Sequence, residues 1–195
     1  MRLLNQAECT SRPMTETSDE VLMTQYCEGD HAAFTTLYHR HKGPLYRYFC
    51  RQLGLSQQSR AEELFHETWA RLIEKRHTYT PTAKLTTLLY RIAHNLVIDE
   101  SRKTAHADHY LESAEPEHQG MDTDIAARKS EAIRSCMALL PDKQREAFLL
   151  RHEAGLNSDD ICSIVSIKAE ALKTRLRYAM SQLRECLTRK LGDRQ

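Results

Sequence analysis

The sequence predicts an all-α protein built from two small helical domains joined by an acidic flexible linker, the second domain a helix-turn-helix unit. Apolar residues recur at spacings of three and four over most of the chain, and no stretch shows a competing strand-like alternation. Only six Gly and five Pro occur among 195 residues. So turn-poor a composition argues against a β-sandwich or barrel. At roughly 100–200 residues per domain, the length suits one large domain or two small ones.

Residues 1–18 form an extension with no interpretable pattern, and residues 19–104 the first domain. Its first stripe is Phe34, Leu37, Tyr38, His41, Leu45 and Phe49, interrupted at Gly43-Pro44, where a kink is expected. Gly54-Leu55-Ser56 breaks the helix. Ser59 is then a candidate N-cap, with Glu62 completing a capping box. The second stripe is Ala61, Leu64, Phe65, Thr68, Trp69, Leu72 and Ile73. After the break at Thr80-Pro81-Thr82 comes the third, with Leu85, Leu88, Leu89, Ile92, Ala93 and Leu96.

Residues 105–131 read as the linker. They carry a net charge of −5, and their first part, AHADHYLESAEPEHQGMDTD, is the chain's long gap in apolar spacing. A solvated loop within one domain is the alternative. A loop of this length is unusual inside a compact domain, which favours two domains.

Residues 132–190 form the second domain, with three helices expected in it. Pro141 and Asp142 open the first, which carries Phe148, Leu149 and Leu150 and ends at Gly155. Asn157 or Ser158 caps a short helix with Ile161, Ile164 and Val165. A turn at Ser166-Ile167 leads to a long helix with Leu172, Leu176, Ala179, Met180, Leu183 and Leu187 on one face.

The net charge of +1 is unevenly spread. Residues 17–104 carry +2 and residues 132–195 carry +4, on either side of the acidic linker. Nucleic-acid contact therefore has to come from local patches. Residues 168–194 carry +5, and Lys173, Thr174 and Arg177 lie opposite the apolar face, with Arg175 and Tyr178 on its flanks. On the second helix of such a unit, a basic face can enter the major groove. An ordinary solvated helix has the same pattern, but the short helix and turn before it favour DNA. The stretch LTTLLYRIAHNLVIDESRK aligns Arg91, Asn95, Asp99 and Arg102 on a polar face, with Lys103 adjacent. An amide among cations can read a base edge while the cations hold phosphates. Tyr90 could stack a base or fill the core. Taken alone, this face reads more simply as solvated.

Other chemistry finds little support. The six cysteines form no CxxC pair and read as buried or half-buried thiols in a reducing compartment. His66-Glu67 begins a zinc-protease-like string, but Ala70 stands where the second ligand belongs. There is no Gly-rich phosphate loop and no GxSxG elbow. The expectation is therefore no enzyme, no metal and no cofactor. A cytoplasmic location is expected, with no membrane insertion, because no long apolar run or signal core occurs.

Three segments in order resemble the bacterial RNA polymerase sigma factors of the extracytoplasmic-function class. AEELFHETWARLIEK, from Ala61, resembles the region 2 helix that docks on the polymerase clamp. LLYRIAHNLVIDESRK, from Leu88, resembles the helix that melts and reads the minus-ten element. The stretch from Ala138 to Arg184 resembles region 4, which reads the minus-thirty-five element. The resemblance implies polymerase contacts by Glu63, His66 and Glu67, and a base-pocketing loop at residues 76–84. It implies that Asn95 contacts an unstacked minus-ten base while Arg91, Arg102 and Lys103 hold the strand. It also places Lys173, Thr174, Arg177 and Tyr178 on the minus-thirty-five groove, with Arg175 near phosphate. Core RNA polymerase, promoter DNA and an anti-sigma factor are the implied partners. The chain departs from the family pattern at Arg60, Leu85, Leu88, Ser166, Lys168, Glu170, Ala171 and Tyr178. A stand-alone helix-turn-helix regulator is the rival, although it would carry a sensor or receiver domain where residues 1–104 show only helices.

Overall fold

A computed structural model describes residues 17–81, 83–107 and 125–192. Its helices are α1 (Asp19–Cys27), α2 (His31–Leu53), α3 (Gln58–Glu74), α4 (Leu85–Ala107), α5 (Ile125–Ala138), α6 (Asp142–His152), α7 (Ser158–Val165) and α8 (Ala169–Gly192). Short 3-10 turns precede and follow α3, and no strand occurs among the described residues. The first four helices pack together, as do the last four.

Local chemistry sets the helix starts. Val21 N–H donates to Ser18 Oγ ahead of α1, and Ala32 N–H donates to Asp30 Oδ1 at 2.8 Å ahead of α2. Asp160 N–H donates to Asn157 Oδ1 at 2.8 Å, so Asn157 rather than Ser158 caps α7. α2 continues through Pro44, with Leu37, Leu45, Tyr48 and Phe49 buried on either side of it. One boundary expectation is corrected. Ser59 lies inside α3 and caps nothing. The 3-10 turn Leu55–Gln57 leads directly into the helix, and Gln57 N–H bonds Gly54 O at 3.2 Å.

The expected stripes make the core, with two exceptions: Ile73 and Met180 are exposed. Each lies at the edge of its stripe, one position beyond a buried residue, Leu72 or Ala179. Tyr26, Phe34, Tyr38, Phe65 and Trp69 form an aromatic cluster between α1, α2 and α3. Tyr90 is a core residue, meeting Tyr48 edge-on at 5.5 Å between ring centroids. Burial pushes the hydroxyls of both up, and at Tyr48 the neighbouring Glu146 adds to the effect.

The second half holds a helix the periodicity did not single out. α5 buries Ala132, Cys136 and Met137, a pattern too short to stand out beside the acidic stretch. The thiol expectation also needs correcting: Cys136 and Cys186 form a disulfide joining α5 to α8. Their packing brings the Cα atoms to 5.8 Å, a juxtaposition that a separation of 50 residues hides in sequence. Cys27, Cys50 and Cys162 are free and half-buried, and Cys9 lies outside the described residues. Of the linker at 105–131, α4 takes the start and α5 the end, and residues 108–124 lie outside the described residues, as do residues 1–16 of the extension.

Candidate polymerase and nucleic-acid interfaces

The buried stripe of α3 turns Leu64, Phe65, Thr68 and Trp69 inward, which leaves Glu63, His66 and Glu67 exposed on the other side. Helical spacing makes them neighbours. Arg60 donates to Glu63, and Arg71 donates to Glu67 at 2.8 Å. Arg60 also reaches Glu100 on α4. A groove of about 520 Å³ runs between the two helices, lined by Glu63, Glu67, Arg71, Asp99 and Lys103 among others. The structure thus brings two of the three polymerase candidates next to one end of the minus-ten set.

α4 displays Arg91, Asn95, Arg102 and Lys103 on its exposed side. Arg102 lies 3.8 Å from Asp99, the pairing expected one turn apart. A second groove, of about 220 Å³, lies beside the N-terminal turn of α4, lined by Lys75, Tyr79, Thr80, Thr87, Leu88 and Arg91. Thr87 Oγ1 and Tyr79 OH are buried there without hydrogen-bond partners. Burial also pushes the Tyr79 hydroxyl up. Within the loop at 76–84, Thr82 lies outside the described residues. An unpaired hydroxyl beside a groove is a ready partner for an incoming polar group.

α8 follows α7 through Ser166, which sits in the left-handed region at φ +53. Lys173, Thr174, Arg177 and Tyr178 are exposed together on α8, while Arg175 is half-buried. The Arg177 guanidinium lies 5.3 Å from the Tyr178 ring centroid, so the pair forms one stacked unit. Among the described residues this basic face is exposed, the geometry a major groove accepts.

Sequence reasoning passed over Glu146 and Glu153. They stand seven residues apart on or just beyond α6, two helical turns on one face, and both point at the first half of the molecule. Acids at that spacing beside Ala147, Leu149 and Leu150 were the available signal.

Residues 37–107 match the family described as Sigma-70 region 2, and residues 130–183 match Sigma-70, region 4. The ECF RNA polymerase sigma factor SigW of Bacillus subtilis is 28% identical over 177 residues, covering 84% of this chain and 93% of the relative. The ECF sigma factor SigK of Mycobacterium sp. (strain KMS) is 27% identical over 185 residues, covering 90% and 93%. The chain belongs to the ECF sigma factors. As a sigma factor it binds core RNA polymerase and directs it to promoters to initiate transcription.

Solved structures share the sigma factor's fold. CnrH in complex with the cytosolic domain of CnrY aligns at a TM-score of 0.63 with 20% identity, over 88% of this chain and 97% of that one. RpoE in complex with the anti-sigma factor NepR from Bartonella quintana aligns at 0.62 with 20% identity, over 80% and 96%. Among the described residues, no helix of the sigma factor is long and apolar enough to cross a membrane.

Proposed function

We propose that three faces divide the work of initiation. Glu63, His66 and Glu67 on α3 dock on core polymerase. Asn95 takes an unstacked non-template base of the minus-ten element while Arg91, Arg102 and Lys103 hold the strand. Lys173, Thr174, Arg177 and Tyr178 enter the minus-thirty-five groove, with Arg175 at its phosphate edge. The observation that carries this assignment is the shared groove between α3 and α4, where Glu63 and Glu67 lie with Lys103. A polymerase bound along α3 then holds α4 beside the strand being opened. The two domains, expected at 19–104 and 132–190, extend to the ends of α4 and α5, which leaves residues 108–124 as the connection. The chain works in the cytoplasm, where polymerase is.

An anti-sigma factor is the expected inhibitor, by likeness to RpoE bound to NepR. Covering the α3 and α4 faces would stop both polymerase docking and strand capture.

Run-off transcription with purified core polymerase tests the assignment. Asn95→Ala should lose most of the transcript while retaining core binding. Glu63→Ala with Glu67→Ala should weaken core binding itself. If Asn95→Ala lost core binding to the same degree, its role at the DNA would be wrong.

A further inference from the structure

We propose that Cys136 and Cys186 are a redox switch: a hydroperoxide closes the pair into the disulfide, cytoplasmic thiols reopen it, and the open form releases α5 from α8. The inference rests on the proposed place of work, the cytoplasm beside polymerase, and adds regulation to the connection between the two DNA-reading halves.

Placement carries the first part. Thiol buffers keep ordinary cysteines of the cytoplasm reduced, and a disulfide there is typically transient and reports oxidation. Cys136 and Cys186 stand 50 residues apart, yet packing brings their Cα atoms to 5.8 Å, within bonding reach. Cys27, Cys50 and Cys162 remain free. A groove of about 250 Å³ reaches the pair, with Leu139, Glu185 and Arg189 on its walls. The charge of Arg189 favours a thiolate there, and that of Glu185 opposes it. Cys186 is 5% exposed and Cys136 1%, so Cys186 meets a small oxidant first.

The step needs only a peroxide. The Cys186 thiolate attacks the O–O bond and becomes a sulfenic acid, and the departing oxygen takes up a proton and leaves as water or an alcohol. The Cys136 sulfur then attacks the Cys186 sulfur. The S–S bond forms, and the sulfenic hydroxyl leaves as water with the Cys136 proton. Two thiols give up two electrons, and the peroxide takes them. Two molecules of a small thiol such as glutathione reverse the step by exchange and end as their own disulfide.

α5 is the element that feels the change. Among its described residues, Ala132, Cys136 and Met137 are the buried ones. A helix of fourteen residues is marginal without packing. Beside the disulfide, Lys190 Nζ of α8 donates to Ser135 Oγ at 2.7 Å, an exposed tie. α6, α7 and α8 pack on one another and carry the helix-turn-helix without α5. α5 also follows residues 108–124 directly, so its release lengthens the connection between the halves. From Ala107 the chain spans at most roughly 60 Å to Ile125, and roughly 110 Å to Leu139. Oxidation therefore shortens the tether between the minus-ten and minus-thirty-five readers.

Alkylation of free thiols, read by peptide mapping, tests the chemistry in bacterial cells that express the full chain. The Cys136 and Cys186 peptides should be alkylated in untreated cells. Hydrogen peroxide should raise the disulfide-linked fraction about tenfold or more. A pair already linked in untreated cells is a permanent staple, and a pair still alkylated after peroxide senses nothing; either result overturns the switch. Hydrogen exchange on the purified full chain tests the consequence. Reduction should speed exchange of the α5 amides about tenfold or more and leave Ala169–Tyr178 of α8 nearly unchanged. Equal α5 exchange in the two states overturns the release. The native chain is compared with itself, so no variant has to fold. Cys136→Ala with Cys186→Ala should keep α5 exchange fast in either redox state, and Cys50→Ser should respond like the native chain. Failure to bind core polymerase would instead count against the assigned sigma faces, while both thiol measurements still judge the switch.

Discussion

Arg60 Nη2 lies 2.5 Å from Glu100 Oε2, so the helix that carries Glu63 and Glu67 is tied to the helix that carries Arg102 and Lys103. Arg60 departs from the family pattern, yet it bridges the two helices that carry the proposed polymerase and minus-ten faces. The hydrogen bond from Arg60 holds the Glu100 carboxyl below the ordinary carboxylate range, and the charge of Lys103 contributes less.

That link predicts a pH-dependent stability. A carboxylate with a lowered native pKa contributes stability above its unfolded value, about 4.3, and loses it as pH falls through the native value. Glu100→Gln should therefore lower the urea midpoint of the first half at pH 7. The gap from the native chain should close below about pH 4. Trp69, the chain's one tryptophan and buried in that half, reports the transition by fluorescence. A gap that stays constant from about pH 3 to 7 would contradict the assignment.

Ser166 adopts φ +53 and ψ 49 between α7 and α8, a region in which a side chain costs about 1–2 kcal/mol. Glycine removes that cost but loses more backbone entropy on folding, roughly 0.5–1 kcal/mol. Ser166→Gly should thus stabilise the second half by about 0.5–1 kcal/mol, seen as a higher Tm by circular dichroism. A lower Tm would mean that the Ser166 side chain contributes something its backbone does not show.

The disulfide closes a loop of 50 residues between Cys136 and Cys186. Chain-entropy reasoning puts its contribution at roughly 4 kcal/mol. Cys136→Ser, or reduction of the native chain, should destabilise the second half by about 2–4 kcal/mol in denaturant while Trp69 reports little change in the first. No loss in the second half would show that helix packing alone holds α5 against α8.

Lys173→Ala with Arg177→Ala should weaken binding to promoter duplex and reduce the salt slope by up to about two, at roughly 0.9 per phosphate contact. Fluorescence anisotropy across a salt series measures it. A weaker affinity with a smaller change in slope would assign one of them to a base edge. An unchanged slope would remove this face from the phosphates.

Much of the fold was legible because helical burial is periodic. Leu64, Phe65, Thr68 and Trp69 announce both their helix and its buried side, and by elimination the exposed side with Glu63, His66 and Glu67. The recognition helix was legible for the same reason, from Leu172, Ala179 and Leu183. α5 escaped because the residues it buries, Ala132, Cys136 and Met137, are small or close together and follow an aperiodic stretch. The boundary near Ser59 misled because the capping pattern gave way to a 3-10 turn that runs straight into α3.

By itself, the sequence determined the helical class, the division into two helical groups and the faces they expose, since each depends on spacing within a single helix. Only the tertiary structure decided what lies opposite each face. Cys136 finds Cys186, Tyr90 finds Tyr48 in the core, and Arg91 finds Ser163 across distances along the chain that no local pattern encodes. Glu146 and Glu153 look like ordinary helix acids until α6 docks on α2 and α4. A charge carries no periodic signature of its partner, so its meaning is set when packing brings the opposite charge to it and removes the water between.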